Sequence, residues 1–225
     1  EISACLVGSE MCIRDRDICP GCRSKITYIK QPVCYRCGKQ LEDDEQEYCH
    51  DCVAKQHNFK RGVAAFSYSQ GMKKSMYAFK YNNRREYAKY YASVIAKEFK
   101  DVIFSWNCEV LVPVPLHRRK LIKRGYNQAE ILAKRLSEQL LIPMDNKILI
   151  RTRNTVPLKE LNEKERITNL KSAFQTDEIK LKYKRIILVD DIYTTGSTID
   201  ECAWTLLRNG AEEVYFITAC IGRGF

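Results

Sequence analysis

The sequence lacks any apolar run of about 18 residues, the length that a membrane-spanning helix requires, so we expect no membrane insertion. Its 225 residues, 45% of them apolar, are enough for one well-buried globular domain and a small appendage. Acidic residues are too few to balance the basic ones, and the formal net charge is +10. This charge favours polyanionic partners, namely phosphate-bearing ligands or nucleic acid.

Cysteine is scarce beyond residue 52, where only Cys108, Cys202 and Cys220 occur, whereas eight of the eleven cysteines fall within residues 1–52. The total is odd and no secretory signal is recognisable, so we do not expect a disulfide framework. Paired thiols that stay reduced and bind metal are typical of the reducing cytoplasm. We therefore expect a cytoplasmic location.

The segment 17–61 lacks the long apolar periodicity that a domain core needs, so we expect a metal to hold it together. Its cysteines follow the spacing Cys34-x2-Cys37-x11-Cys49-x2-Cys52. This spacing supplies four thiolates from two tight turns, the donor set that tetrahedral Zn²⁺ prefers. The sequence therefore predicts a small zinc ribbon with structural Zn²⁺.

Two features precede or accompany this ribbon. Residues 1–16 contain "LVGSEMCIRDR", which resembles the translation of an adapter used in sequencing libraries, so we interpret them as an artefact outside the fold. Cys19 and Cys22 resemble half of another ribbon, so that the first ribbon is incomplete, and the pattern leaves open whether they too bind metal. Because four thiolates satisfy the zinc, His50 and His57 are predicted to be surface residues.

Residues 62–225 alternate strand-like and helix-like patterns. A helical pattern from Met72 to Phe99 places Tyr87 and Tyr91 on one face, which we interpret as a core-facing side. The sequence predicts an α/β fold, a parallel sheet flanked by helices, in which ligands bind at the carboxyl ends of the strands. The predicted strands are "GVAAFSY", "EVLVPVPL", "KILIR", "RIILV" and "EVYFITA", and two further helices are predicted at Asn127–Leu140 and Ser197–Asn209.

The stretch "IILVDDIYTTGST", Ile186–Thr198, contains the candidate ligand site. Asp190 and Asp191 are expected at the solvent-facing end of a buried strand, where they suit sugar hydroxyls and Mg²⁺. The next residues turn into a helix whose N-terminal amides attract a phosphate, and a glycine lets the backbone come close. The phosphate-binding residues predicted here are Thr194, Thr195, Gly196, Ser197 and Thr198.

A basic turn follows the strand "EVLVPVPL" and is the second candidate site. Two prolines stiffen its start, and a cluster of basic residues follows. Because the turn would face the phosphate cradle, we interpret it as a diphosphate-binding loop. Its residues are Pro113, Val114, Pro115, Leu116, His117, Arg118 and Arg119, and the basic run continues through Lys120, Lys123 and Arg124.

The stretch Ile186–Thr198 resembles the phosphoribosyl-pyrophosphate signature of type I phosphoribosyltransferases: four apolar residues, two acids, two variable positions and Thr-Thr-Gly-x-Thr. A wider resemblance covers residues 17–225. The CxxC pairs, "VPVPLHRRKLIKRGYNQAEILAKRL" from Val112 and "ERITNLKSAF" from Glu165 are similar to the ComF family of competence proteins, including its GntX-type members.

The resemblance implies a double zinc ribbon, a phosphoribosyltransferase domain and a part in DNA uptake during natural transformation. Asp190 and Asp191 would then be the catalytic pair that holds the ribose hydroxyls of phosphoribosyl pyrophosphate, and Thr194–Thr198 would hold its 5-phosphate. Loop Pro113–Arg119 would take its diphosphate. Single-stranded DNA and other competence proteins are the implied macromolecular partners.

The residues do not select an acceptor for the ribose. They leave open a transferase that works in DNA uptake, a non-catalytic adaptor that senses the metabolite and binds nucleic acid, and a nucleotide-salvage phosphoribosyltransferase. Release of diphosphate in the presence of a free base would favour the last of these.

Overall fold

The structure is a computed structural model that describes residues 13–14, 17–18, 20–152, 173–176 and 181–222. Within these ranges, no helix combines the length and the apolar character that crossing a membrane demands. In chain order the elements are β1 (Ile13–Arg14), β2 (Asp17–Ile18), α1 (Pro20–Arg23), α2 (His50–Ala54), β3 (Arg61–Ser67), α3 (Gln70–Tyr81), α4 (Tyr87–Ser105), β4 (Val110–Pro113), α5 (Arg118–Arg124), α6 (Gln128–Leu140), β5 (Leu149–Arg151), β6 (Phe174–Thr176), β7 (Arg185–Tyr193), α7 (Ser197–Arg208) and β8 (Glu213–Ile221).

A four-stranded parallel sheet in the order β3-β8-β7-β4 forms the centre of the molecule. The central strands β7 and β8 are almost continuously buried, because α3, α4 and α6 pack on one face of the sheet and α7 packs on the other. The predicted α/β fold class is confirmed. All four strands end at the same edge, where a parallel sheet offers its ligand site.

The helical pattern between Met72 and Phe99 forms two helices, α3 and α4, because the chain turns between them and Asn83 has a φ of 55°. The side chains of Tyr87 and Tyr91 are buried, and the Tyr91 hydroxyl lies 2.6 Å from the hydroxyl of Ser75. The prediction that these tyrosines face the core is confirmed.

The "KILIR" stretch does not join the parallel sheet, contrary to the prediction. Its three-residue strand β5 pairs antiparallel with β6 in a separate two-stranded sheet. Leu149 is buried whereas Ile150 is 42% exposed, so the strand is covered on one face only. One covered face suits an antiparallel pair, whereas parallel strands are normally buried on both faces.

The N-terminal segment covers the outer edge of strand β3. Residues 27–29 run antiparallel to it, with the N–H of Ile29 donating to the Ala65 carbonyl at 3.0 Å. Further along, the Gly62 N–H donates to the Arg36 carbonyl at 2.8 Å. Gly38 has a φ of 74°, and a Cβ on it would lie only 2.8 Å from the Gly62 oxygen. Glycine is therefore required where this segment meets the sheet.

Candidate functional site

Strand β7 positions the two aspartates of the predicted site. Asp190 and Asp191 lie within the strand, whose pairing with β8 continues to Tyr193. Because neighbouring strand residues point to opposite faces, Asp191 lies on the side of α3 and Asp190 on the side of α7. The two carboxyl groups therefore meet different neighbours, whereas the sequence pattern predicted the same solvent-facing position for both.

Asp191 is held in an ion pair rather than presented to solvent. Its Oδ1 lies 2.9 Å from the Nζ of Lys80, at the end of α3, and both side chains are largely buried. Burial disfavours the charge on Lys80, but Asp191 outweighs this effect and raises the pKa of Lys80 above its usual value. The expectation of a solvent-facing side chain is wrong for Asp191, because Lys80 reaches it from another element.

Asp190 has the more perturbed carboxyl group. Burial, and next the negative charge of Asp191, raise the pKa of Asp190 to about 7. One of its oxygens accepts the N–H of Asp191 at 2.8 Å. Near neutral pH this group can therefore take up or release a proton, and a cation bound beside it would favour the carboxylate.

Four cationic side chains from three elements converge near the aspartates: Lys80, Lys120, Arg124 and Arg151. Burial, and then the charges of Arg151, Arg124 and Lys80, lower the pKa of Lys120. Like charges this close repel each other, so the cluster is suited to a polyanion. The sequence analysis named Lys120 and Arg124 but missed Lys80 and Arg151, for which no local pattern gives a signal.

The predicted phosphate loop, Thr194–Thr198, connects β7 to α7. Gly196 is the N-cap residue of α7 with a φ of 78°, and it has no side chain to occupy the first amides of the helix. The hydroxyls of Thr195 and Ser197 lie 3.0 Å apart beside these amides. A helix N-terminus with free amides and hydroxyls is a favourable seat for a phosphate group.

A second constraint, the close approach of Tyr193, also requires glycine at position 196, and no sequence pattern indicated it. A Cβ there would overlap the hydroxyl of Tyr193 and lie 2.9 Å from its Cζ. Tyr193 cannot easily move, because its ring stacks on Phe216 at a centroid distance of 4.8 Å and is buried. A larger residue at 196 would therefore first disturb the loop itself, before it met any ligand.

The predicted diphosphate loop begins beside the aspartates but is not a turn throughout. Val114 lies next to β7, with its N–H donating to the Val189 carbonyl at 2.9 Å. From Arg118 the chain forms helix α5, so the basic residues lie on a helix. A ring nitrogen of His117 accepts the Arg119 N–H at 3.3 Å and starts this helix, and Gly125, with a φ of 77°, ends it.

The four cysteines predicted to bind zinc form one cluster. A tetrahedral Zn²⁺ with bonds of about 2.3 Å holds its sulfurs about 3.8 Å apart, and the Sγ atoms of Cys37 and Cys49 are 3.6 Å apart. Cys22 is buried in the core away from this cluster, and Cys19 lies outside the described residues. The buried sulfurs of Cys34, Cys37, Cys49 and Cys52 all lie within 4.8 Å of one another and fit structural zinc.

A buried histidine corrects another prediction. His50 is 88% exposed, as expected, but the side chain of His57 is only 1% exposed. Its Nδ1 lies 2.7 Å from Oδ2 of Asp200, in the first turn of α7. Asp200 also accepts from Lys55 Nζ and from the Asn58 N–H, each at 2.9 Å. The surface prediction failed because this partner is far away in the sequence.

The donors outweigh the effect of burial on Asp200. Burial alone would raise the pKa of this carboxyl, but His57 and then Lys55 hold it below its usual value. The sequence analysis missed Asp200, because an acid in the first turn of a helix is common and needs no distant partner. The first turn of α7, which follows the phosphate loop, is thus attached to the segment that follows the zinc cluster.

The fold and the site together define a phosphoribosyltransferase-type α/β domain joined to a four-cysteine zinc ribbon. The family model for the double zinc ribbon domain matches residues 3–53, and that for the phosphoribosyl transferase domain matches residues 121–224. The chain belongs to the ComF/YhgH family. The domain boundaries at 17 and 62 and the adapter-like origin of residues 1–16 stay predictions.

Three relatives match nearly the whole chain. Competence protein F of Haemophilus influenzae and DNA utilization protein YhgH of Escherichia coli K12 are each 31% identical, over 90% of this chain and 89% of the relative. Competence protein ComFC of Bacillus subtilis is 30% identical, over 87% of this chain and 80% of the relative. Most of "ERITNLKSAF", which carried part of the predicted resemblance, lies outside the described residues.

Two solved structures are similar to part of the chain. The purine phosphoribosyltransferase from Pyrococcus horikoshii is 18% identical with a TM-score of 0.35, over 60% of this chain and 72% of that one. TT1426 from Thermus thermophilus is 10% identical with a TM-score of 0.35, over 61% and 83%. The geometry and the family models, rather than these low TM-scores, support the fold assignment.

The zinc cluster gives the first testable prediction. Metal analysis of the purified chain should find about one zinc per chain, because four preplaced thiolates bind Zn²⁺ tightly enough to drive local folding. Cys37→Ser should lose this zinc. Cys108→Ser, at a half-buried cysteine outside the cluster, is the matched control and should keep it. Zinc content unchanged by Cys37→Ser would show that the cluster is not the metal site.

The second prediction concerns Asp200. Asp200→Asn should lower the free energy of unfolding at pH 7 by about 3 kcal/mol, because it removes a buried carboxylate that accepts from His57, Lys55 and the Asn58 N–H. The stabilisation should be complete above the pKa of an unfolded aspartate, about 3.9, and fade as the pH falls through the lower folded pKa. Denaturant titrations at several pH values measure both effects.

The control for Asp200→Asn is Glu138→Gln, which breaks an exposed ion pair with Arg135 on α6. Exposed pairs contribute about 0–1 kcal/mol, so this variant should unfold almost like the wild type. Equal stability of the two variants at pH 7 would contradict the assigned role of Asp200.

Proposed function

We propose that the carboxyl edge of the sheet binds phosphoribosyl pyrophosphate with Mg²⁺, in a phosphoribosyltransferase-type site that acts in DNA uptake. One observation carries the proposal: two acids at the end of β7 lead directly into a phosphate loop at the N-terminus of α7, within reach of four cations. A sugar that bears a phosphate on one side and a diphosphate on the other has the matching charges.

Each part of the ligand has a proposed partner. The 5-phosphate would accept hydrogen bonds from the loop Thr194–Thr198, and the ribose hydroxyls would donate to Asp190 and Asp191. The diphosphate would lie against Pro113–Arg119 and the cation cluster. Asp190 is the better candidate for a contact with Mg²⁺, because its carboxyl group offers oxygen donors and Asp191 is already neutralised by Lys80.

The same arrangement suits the chemistry of ribosyl transfer. Mg²⁺ would neutralise charge that develops on the leaving diphosphate. Lys120 and Arg151 would stabilise the same charge from the protein side, and the phosphate loop would hold the sugar in place. Positioning and electrostatics supply most of the rate in such reactions. Asp190 and Asp191 would hold the ribose and stabilise the positive charge that develops on it. They are therefore the proposed catalytic pair.

DNA uptake enters the proposal through the relatives, two of which are named competence proteins and one a DNA utilization protein. The chain has a net charge of +10, and α5 exposes Arg118, Arg119 and Lys123 to solvent. Exposed cations on one short helix suit the phosphates of single-stranded DNA. We place this function in the cytoplasm, together with other competence proteins, because the four thiols of the zinc cluster require a reducing environment.

The ligand proposal predicts a loss of binding on Asp190→Asn. Calorimetry with phosphoribosyl pyrophosphate and Mg²⁺ should show an affinity about 10- to 100-fold lower, since a charge-assisted hydrogen bond contributes about 1.5–3 kcal/mol. Adding Asp191→Asn should abolish binding, because no carboxylate then remains to accept from the ribose hydroxyls or to favour the bound cation. Asp101→Asn, at an exposed position of α4, is the matched control and should bind normally.

Unchanged affinity in Asp190→Asn would refute the proposed seat. If the site does bind phosphoribosyl pyrophosphate, a diphosphate-release assay over a panel of acceptors distinguishes its possible roles. Release that depends on a free base supports nucleotide salvage. Tight binding without any release supports a metabolite-sensing adaptor.

The DNA proposal predicts a steep dependence on salt. Replacing Arg118, Arg119 and Lys123 together by Gln should reduce the slope of log affinity against log salt by about 2, because each phosphate contact on a single strand contributes about 0.7. The control replaces three exposed lysines of α4, Lys89, Lys97 and Lys100, and changes the charge equally. An equal effect of both triple variants would show that α5 is not the contact surface.

A further inference from the structure

Helix α3 has an unusual outer face. Its inner face buries Met72, Met76 and Phe79 completely, so the core fixes the orientation of the helix. On the opposite face, Tyr77 is 60% exposed and Tyr81 is 54% exposed. Large aromatic side chains are normally buried or used at an interface, so two together in solvent require an explanation.

The two tyrosines form one continuous surface. They are four positions apart, which places them beside each other on a helix, and their ring centroids are 4.9 Å apart with an interplanar angle of 47°. Arg124 of α5 fixes the second ring: its guanidinium lies 4.9 Å from the Tyr81 centroid, and its Nη2 donates to the Tyr81 hydroxyl at 3.1 Å. We name Lys73, Lys74, Tyr77, Tyr81 and Arg124 the α3 stripe.

The charge of the α3 stripe is of one sign. Helix α3 contains no acidic residue, Lys73 and Lys74 are exposed one turn before Tyr77, and Arg85 is exposed just after the helix. A partner must therefore carry negative charge and present flat faces to the rings. The nucleobases and phosphates of single-stranded DNA meet both conditions, whereas a duplex hides its base faces.

We propose that the α3 stripe is a stacking platform for the bases of single-stranded DNA. The proposal rests on the DNA partner proposed above and adds the residues that contact bases rather than phosphates. Tyr77 and Tyr81 stack on successive bases, and Lys73, Lys74 and Arg124 bind the flanking phosphates. Because Lys80 of the same helix reaches Asp191, the bound strand passes directly beside the ribose-phosphate seat.

A second exposed aromatic pair provides an internal comparison. Tyr35 and Tyr48 of the N-terminal segment lie 6.3 Å apart in an edge-to-face arrangement. The exposed residues just before Tyr48 are mostly acidic, since 42–47 reads "EDDEQE". Their charge repels a polyanion, so this pair should not bind DNA even though its side chains are the same type.

The test compares a fluorescent single strand of about 20 thymidines with an abasic strand of the same length, by anisotropy at fixed salt. Tyr77→Leu and Tyr81→Leu should each weaken thymidine binding about tenfold, because stacking on an aromatic ring is lost while apolar bulk remains. Tyr77→Leu, which leaves the contact between Tyr81 and Arg124 in place, should bind the abasic strand like the wild type. Tyr77→Phe should retain thymidine binding, because the ring is preserved.

Two controls accompany these variants. Phe104→Leu removes an exposed aromatic ring on α4 that also has a lysine beside it, with Lys100 Nζ 5.5 Å from the centroid, and should change nothing. The double change Tyr35→Leu with Tyr48→Leu should also leave DNA binding intact.

Each contrary outcome overturns the platform. If Tyr77→Leu and Tyr81→Leu leave thymidine binding unchanged, the bases bind elsewhere. If the double change at Tyr35 and Tyr48 weakens it, the bases stack on that pair instead. Equal weakening of thymidine and abasic strands would mean that the tyrosines do not contact bases. If the wild type binds neither strand while phosphoribosyl pyrophosphate still binds, the DNA partner fails together with the platform, and the ligand site stands.

Discussion

The buried carboxylate of Asp200 connects helix α7 to the segment that follows the zinc cluster. It belongs to the first turn of α7, and its three donors all come from residues 55–58, just after the last cysteine of the zinc cluster. The ring of Phe59 continues the attachment, since it packs edge-on against Phe216 at 4.8 Å, and Phe216 stacks on Tyr193. The phosphate loop therefore lies between supports that the N-terminal segment holds in place.

The charge pattern of the site depends on how strand β7 places its two aspartates. Adjacent residues of a strand point to opposite faces of the sheet, so the two neighbouring acids meet different surroundings. Lys80 compensates Asp191 from the side of α3, whereas burial and the charge of Asp191 raise the pKa of Asp190 more than Lys80 and Arg151 lower it. The surrounding cations then leave the whole edge with an attraction for anions, while one acid stays available for a cation.

Local order in the sequence accounts for the parts of the site that could be predicted. The phosphate loop is encoded by consecutive residue types from a strand into a helix, and the zinc cluster by the spacing of four cysteines. Lys80, Arg151 and Asp200 depend instead on contacts between distant segments; His57 and Asp200 are 143 positions apart. No local pattern indicates such a pair, so His57 was predicted to be a surface residue. For the same reason the different roles of the two aspartates could not be predicted.

The same limit applies to the fold. Burial periodicity predicted the strands and most helices, but it could not tell that β5 leaves the main sheet, since its antiparallel partner β6 begins only at Phe174. The start of α5 was hidden as well, because a run of cations has no apolar face to show helical spacing. Both failures lie where pairing or capping, rather than burial, decides the structure.

The contact between residues 27–29 and strand β3 has a consequence for how the molecule behaves among its own copies. An outer strand whose N–H and C=O groups are unpaired is a template for pairing with another chain. Here the N-terminal segment occupies those groups, and the ribbon that follows it keeps the segment in register. Loss of the ribbon's shape would uncover a strand edge as well as thiols, so the ribbon also protects the sheet from self-association.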